Sequence, residues 1–214
     1  VFFLIQALIF AVVCLGLNLQ WGYTGLFNIG VAGFFLVGAY AFGILCGPPD
    51  ASHLGGFGLP FLVGLVGSVL ASGVVAFIVG IPTLRLREDD LAIVTIGIGS
   101  ILQLIALNAR ALTGGSRGVT SIPRPLPALV TGVFERNLLM LGLMIVVVLV
   151  LFWALEAMVR SPWGRVLKAI REDEQAAASL GKNAFNFRLQ SFVIGSAIMG
   201  LGGALYASFI GFIS

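Results

Sequence analysis

Two groups of residues in this sequence could do chemistry. The first is charged: Glu172-Asp173-Glu174 lies among Arg160, Arg165, Lys168, Arg171, Lys182 and Arg188, which are half of the chain's 12 basic residues. The second is polar and punctuated by glycine: Asn18, Gly22, Tyr23, Thr24, Gly25 and Asn28 interrupt two apolar runs. Neither group makes an enzyme. There is no Ser/His/Asp set and no pair of carboxylates within an apolar run, and the single histidine, His53, has no second ligand for a metal. Cys14 and Cys46 lack a CxxC spacing and read as small core residues. No GxxxxGK[ST] phosphate loop is present, so no nucleotide or other cofactor is expected on this chain. What remains is recognition. The charges suit a protein surface, and the amides, hydroxyls and freed backbone of the break suit hydrogen bonding to a small solute.

These groups sit in a chain that is 59% hydrophobic and only 10% charged, with a mean hydropathy of +1.09. A soluble domain carries about 25% charged residues. That much apolar surface cannot be hidden in one core, so the chain reads as an integral membrane protein. Its apolar runs are of helical length and not the short alternating strands of a barrel. The 29 glycines suit close helix–helix packing, because lipid gives no hydrophobic drive for association. The net charge of +3 is accounted for by residues flanking spans and implies no nucleic acid.

The expected fold is therefore all-α: a polytopic membrane helix bundle of about six segments forming one domain over 1–214. The segments are Val1–Leu19, Leu26–Leu45, Leu59–Leu84, Leu91–Asn108, Leu138–Met158 and Leu189–Ile213. Arg85 to Asp90 reads as a short charged loop, and residues 110–137 as a connector whose Pro123, Pro125 and Pro127 favour extended backbone. The chain begins and ends in apolar sequence and reads as a fragment of a longer one. The loops at 85–90 and 160–188 are two crossings apart and share eight Lys/Arg, against four in the 110–137 connector (Arg110, Arg117, Arg124 and Arg136). The positive-inside rule places the first pair in the cytoplasm and the connector outside.

Between the last two segments, a helix is predicted from Pro162 to Leu180. Ser161 is the N-cap, Pro162 the first helical residue and Gly181 the left-handed C-terminal residue. Such a helix could lie on anionic lipid or dock into a groove on another protein. The acidic triplet would be repelled by anionic headgroups, which favours docking. Two placements of the 20–25 break are open. It is either a turn at the cytoplasmic face or an unwound stretch inside the bundle, tolerated only where protein or a water-filled cavity surrounds it.

At this point a resemblance carries further. Glu172-Asp173-Glu174, Ala176-Ala177, Leu180-Gly181 and Asn183 resemble the EDExAAxxLGxN pattern of permease subunits of branched-chain amino-acid ABC importers. Leu17-Asn18-Leu19, Gly22-Tyr23-Thr24-Gly25-Leu26, Gly38-Ala39-Tyr40, Pro82-Thr83-Leu84-Arg85-Leu86-Arg87, Leu91-Ala92-Ile93-Val94-Thr95 and Leu112-Thr113-Gly114-Gly115 are similar to further family stretches, in order along nearly the whole chain. The likeness is to the LivM type of subunit. It implies a multi-pass subunit in the bacterial plasma (inner) membrane. Its partners would be a sister permease, two ATP-binding cassette subunits and an extracytoplasmic substrate-binding protein. Residues 162–181 would be the helix coupled to the ATPases through Arg171, Glu172, Asp173, Glu174, Ala177, Leu180 and Gly181. An amino-acid zwitterion would pass Asn18, Gly22, Tyr23, Thr24, Gly25 and Asn28. Two departures stand out. Glu88-Asp89-Asp90 replaces a smaller, less acidic stretch, and Val31 stands where the family frequently has histidine. The alternatives are a urea or short-chain amide importer, and a stand-alone secondary transporter. The latter usually needs buried titratable groups, which this sequence nearly lacks.

Overall fold

A computed structural model of the chain describes residues 1–48, 56–86, 88–109, 113–115, 118–119, 122 and 133–213. His53, Ser116 and the three alternating prolines of the connector lie outside these residues. The described chain forms eight α-helices, α1 Phe2–Leu17, α2 Val31–Cys46, α3 Phe61–Thr83, α4 Glu88–Asn108, α5 Val133–Arg160, α6 Pro162–Glu172, α7 Glu174–Ser179 and α8 Ala184–Ile210. A π-helical turn, Asn18–Tyr23, continues α1. Five spans, Phe2–Tyr23, Phe61–Thr83, Asp90–Asn108, Glu135–Arg160 and Ala184–Ile210, are long and apolar enough to cross a membrane. The sixth expected segment is shorter. Its helix, α2, begins at Val31 and not at Leu26, and its 16 residues make a rod of about 24 Å at the usual helical rise.

Helix α8 is the axis of the bundle. In its most apolar window 67% of residues are buried, against 33% or less in the other four spans. Its apolar core joins α1 and α5 through Ile5, Ile9, Met140, Met144 and Leu205. It joins α2 through Ala39, Tyr40, Phe42, Ala204 and Ala207. Small residues set these distances, since lipid-solvated helices associate by close van der Waals packing. A Cβ on Gly16 would stand 2.6 Å from the Gly195 carbonyl oxygen. On α2, a Cβ at Gly38 would collide with the Gly200 backbone of α8. Ser72 of α3 donates across to the Phe34 carbonyl at 3.1 Å. The outer faces of α4 and α5, with Ile93, Ile101, Leu149, Val150 and Trp153, are apolar and exposed, as lipid or a partner subunit requires.

The two ends of the bundle are distinct. At one end Val119 and Ile213 exchange backbone hydrogen bonds of 2.9 Å, and Ile122 N–H donates to the Gly211 carbonyl at 3.1 Å. These contacts tie the connector to the C-terminus of α8. At the other end the turn after α3 meets the start of α8, with the Arg85 guanidinium 5.7 Å from the Phe185 ring centre. The 85–90 and 160–188 regions therefore do share one end. Glu88-Asp89-Asp90, expected in a loop, forms the first turn of α4. Cys46 is buried as expected, whereas Cys14 is exposed. Its position on α1 turns it away from α8, so it is not a core residue.

Candidate functional site

The predicted single helix over 162–180 is two helices. At Asp173 the backbone leaves helical space (φ −154°, ψ 105°), and the carboxylate accepts from Ala176 N–H at 2.9 Å. Aspartate competes with the helix for backbone donors and prefers the N-cap, so the acidic triplet starts a new helix instead of sitting inside one. Glu172 ends α6, Asp173 is the corner and Glu174 opens α7. Ser161 has N-cap dihedrals, but its hydroxyl donates back to the Met158 carbonyl at 2.5 Å and does not cap α6. The other end matches the prediction. Gly181 is left-handed at φ 75°, and its N–H and that of Lys182 bond the Ala178 and Ala177 carbonyls at 2.9 and 3.2 Å. This pairing is a Schellman motif. Asn183 then caps α8, accepting from Asn186 N–H at 3.2 Å, so α8 begins five residues before the expected Leu189.

This two-helix segment is anchored on one side and open on the other. Ile170, Ala177 and Ala184 form a small core with Val166 and Phe187. Glu174 pairs with Arg188 at 2.9 Å, and Trp163 Nε1 donates to Gln190 at 2.7 Å. Ala177 is thus internal packing. Glu172, Asp173, Leu180 and Gly181 face outward, and Leu180 is 80% exposed.

The break divides in the same way. Thr24 and Asn28 are buried, together with Gln20, a residue the sequence reading passed over. Gln20 Nε2 donates to the Phe192 carbonyl at 2.8 Å and to Ser196 Oγ at 3.0 Å, and its Oε1 accepts from Asn28 Nδ2 at 2.8 Å. Asn28 Oδ1 accepts from Gly30 N–H at 2.9 Å. Thr24 Oγ1 lies 3.0 Å from the Leu19 carbonyl oxygen, to which it donates, and 2.6 Å from Ser191 Oγ. Thr95 of α4 accepts from Ile29 N–H at 3.1 Å. The non-helical backbone from Gly25 to Gly30 is therefore held by side chains from the π-turn, α4 and α8, as unwound backbone inside a membrane protein must be. Two of the partners of Gln20, Phe192 and Ser196, lie more than 170 positions away, a pairing that local sequence pattern cannot reveal.

The remaining break residues face outward. Asn18 is exposed, and Gly22 and Tyr23 are half-buried. Asn18 and Tyr23 border a small crevice with Leu155 and Glu156 of α5. Asn18 and Gly22 also line an open pocket of about 390 Å³ with Cys14, Leu17, Trp21 and Arg171. The two predicted groups meet here. Arg171 Nη1 of α6 donates to the Gly22 carbonyl, and Lys168 Nζ stands 5.5 Å from the Tyr23 ring centre. Gly25 is left-handed at φ 77°, and a Cβ there would lie 3.2 Å from Arg171 Cγ, so both conformation and space call for glycine. The break lies at the loop end of the bundle, beside α6, and its buried side chains point into the bundle. Each of the two open placements described part of it.

Comparison with known proteins agrees with this architecture. Residues 1–214 match the family described as branched-chain amino acid transport system / permease component, and the chain belongs to that family. It is 36% identical over 233 residues to the high-affinity branched-chain amino acid transport system permease protein LivM of Salmonella typhimurium, covering 98% of this chain and 52% of that protein. The Escherichia coli protein of the same name is 35% identical over 231 residues, covering 97% of this chain and 52% of that protein. A probable branched-chain amino acid transport permease protein LivM of Methanocaldococcus jannaschii is 28% identical over 225 residues, covering 93% of this chain and 64% of that protein. The chain thus spans about half the length of the first two relatives. No solved structure matches it.

Proposed function

We propose that this chain is the membrane-spanning part of a permease subunit of an ATP-driven importer for branched-chain or other neutral amino acids. It works with a sister permease, two ATP-binding cassette subunits on the cytoplasmic face and an extracytoplasmic binding protein. The observation that carries this reading is the docking surface. Leu180 is 80% exposed at the tip of a helix–corner–helix whose Leu167, Ile170 and Ala177 are buried, beside the outward Glu172 and Asp173. A large apolar residue held out on a rigid, Schellman-capped tip suits a groove on a partner. Among the described residues the buried polar side chains are uncharged, which favours coupling to an external energy source. Rigid-body motion of α6 and α7 then passes into the bundle and alternates access.

The substrate path in this reading runs along the outward side of the break. Asn18, Gly22 and Tyr23 offer an amide, a carbonyl and a phenol, and the Arg171 guanidinium and Glu156 carboxylate border the same two openings, so both ends of a zwitterion meet a partner there. Thr24, Gly25 and Asn28 hold that edge in shape from behind.

The test is uptake in proteoliposomes containing the full-length protein with its partner subunits and binding protein. Labelled leucine enters only with ATP inside the ATPase compartment, and excess isoleucine or valine competes while urea does not. Leu180→Asp reduces uptake to the level without ATP at unchanged yield of folded protein. Leucine uptake driven by an ion gradient in the absence of the ATPase subunits would overturn the reading.

A further inference from the structure

The docking segment carries basic and acidic residues that the sequence treats as one set, but the fold sends them in opposite directions. Glu172 and Asp173 point away from the protein. Arg171 and Lys168, one turn apart on α6, reach back to the break. Arg171 donates to the Gly22 carbonyl, and its stem closes over Gly25. The ammonium of Lys168 sits on the Tyr23 ring at cation–π distance. Gly22 and Tyr23 are the last two residues of the π-turn, and Gly25 is the left-handed residue after which the chain runs unwound to Gly30. π-Helical turns are rare and frequently sit at functional sites.

We propose that Arg171, supported by Lys168, is a positioning residue that links the docking segment to the substrate path by gripping the π-turn. This rests on the reading of α6 and α7 as the ATPase-coupled element, and it removes Arg171 from the docking surface itself. When α6 moves with the ATPases, the guanidinium carries the Gly22 carbonyl with it. That carbonyl belongs to the outward edge of the break, so the edge changes shape in step with ATP hydrolysis. The Gln20–Asn28–Ser196 network behind it is held by α8 and does not depend on Arg171, so the grip deforms one side of the break against a fixed wall.

Two measurements on the full-length importer test this. The first is hydrogen exchange on the purified complex in nanodiscs, comparing wild type with Arg171→Ala. Exchange rises at the amides of Gly25 and Leu26, which bond the Trp21 and Gln20 carbonyls, and stays unchanged across residues 192–205 of α8. Unchanged exchange at 25 and 26 overturns the grip, whether or not the complex transports. The second is the amount of leucine carried per ATP hydrolysed in proteoliposomes. The ratio falls about tenfold in Arg171→Ala, within the usual span of coupling between sites, and Arg171→Lys recovers part of it. A normal ratio alongside altered exchange overturns the coupling role. Loss of the ATPase subunits from purified Arg171→Ala places the residue in the docking surface and overturns the inference as well. A wild-type complex that moves leucine without hydrolysing ATP refutes the importer reading, while the exchange result still decides the grip.

Discussion

Gln20 joins three pieces of chain with one side chain: the π-turn that holds it, the unwound stretch through Asn28, and α8 through Phe192 and Ser196. Both amide hydrogens are donated and its oxygen accepts one bond, at a fully buried position. Gln20→Leu keeps the volume but leaves the Asn28 amide without its acceptor, which costs about 1–3 kcal/mol. The midpoint of denaturation in mixed micelles drops accordingly, and an unchanged midpoint would show that the network contributes nothing to stability. Gly25→Ala meets two penalties. The left-handed backbone costs an L-residue about 1–2 kcal/mol, and the new methyl presses on Arg171. The same measurement on Gly97→Ala, where a Cβ meets nothing within 4 Å, is the control, and there stability holds or rises.

At the scale of elements, the corner at Asp173 makes α7 a separate, capped helix. Asp173→Ala removes the cap and costs about 1 kcal/mol locally. Amide exchange then quickens at Ala176 and Ala177 and not at Leu167 or Ile170, which α6 holds independently; equal effects in both helices would mean one continuous unit. This corner was hidden in the sequence because Glu172-Asp173-Glu174 satisfies helical periodicity as well as it satisfies a break. Only the carboxylate's bond to Ala176 decides between them. Most spans were legible, since twenty apolar residues have few alternatives in a membrane. The start of α2 was not: Leu26 to Gly30 is apolar enough to be helix, but Asn28 bonding Gly30 and Thr95 bonding Ile29 hold it unwound. The C-terminal punctuation at Gly181 was legible because a left-handed glycine is a local requirement. The burial of Ala177 and the bond from the exposed Arg171 to Gly22 were not, because they depend on what α6 and α7 pack against.

At the scale of the molecule, α8 is the post around which α1, α2 and α3 are set, and the loops carrying the basic excess gather at one end. In intact cells a cysteine replacing the exposed Phe57, at the opposite end, reacts with an impermeant maleimide in a Cys14→Ala background. One replacing Gln175 reacts only after permeabilisation. The reverse pattern would invert the topology. The central claim is that the outward face of α6 and α7 receives an ATPase while its inward face grips the bundle. It is tested most directly by a photo-crosslinking residue placed at position 180 and, separately, at position 177, in membranes containing the whole importer. Leu180 is 80% exposed and Ala177 is 4% exposed. Position 180 is predicted to crosslink to an ATP-binding subunit and position 177 only within its own chain. Equal crosslinking from both positions, or none to the ATPase from position 180, would contradict the account.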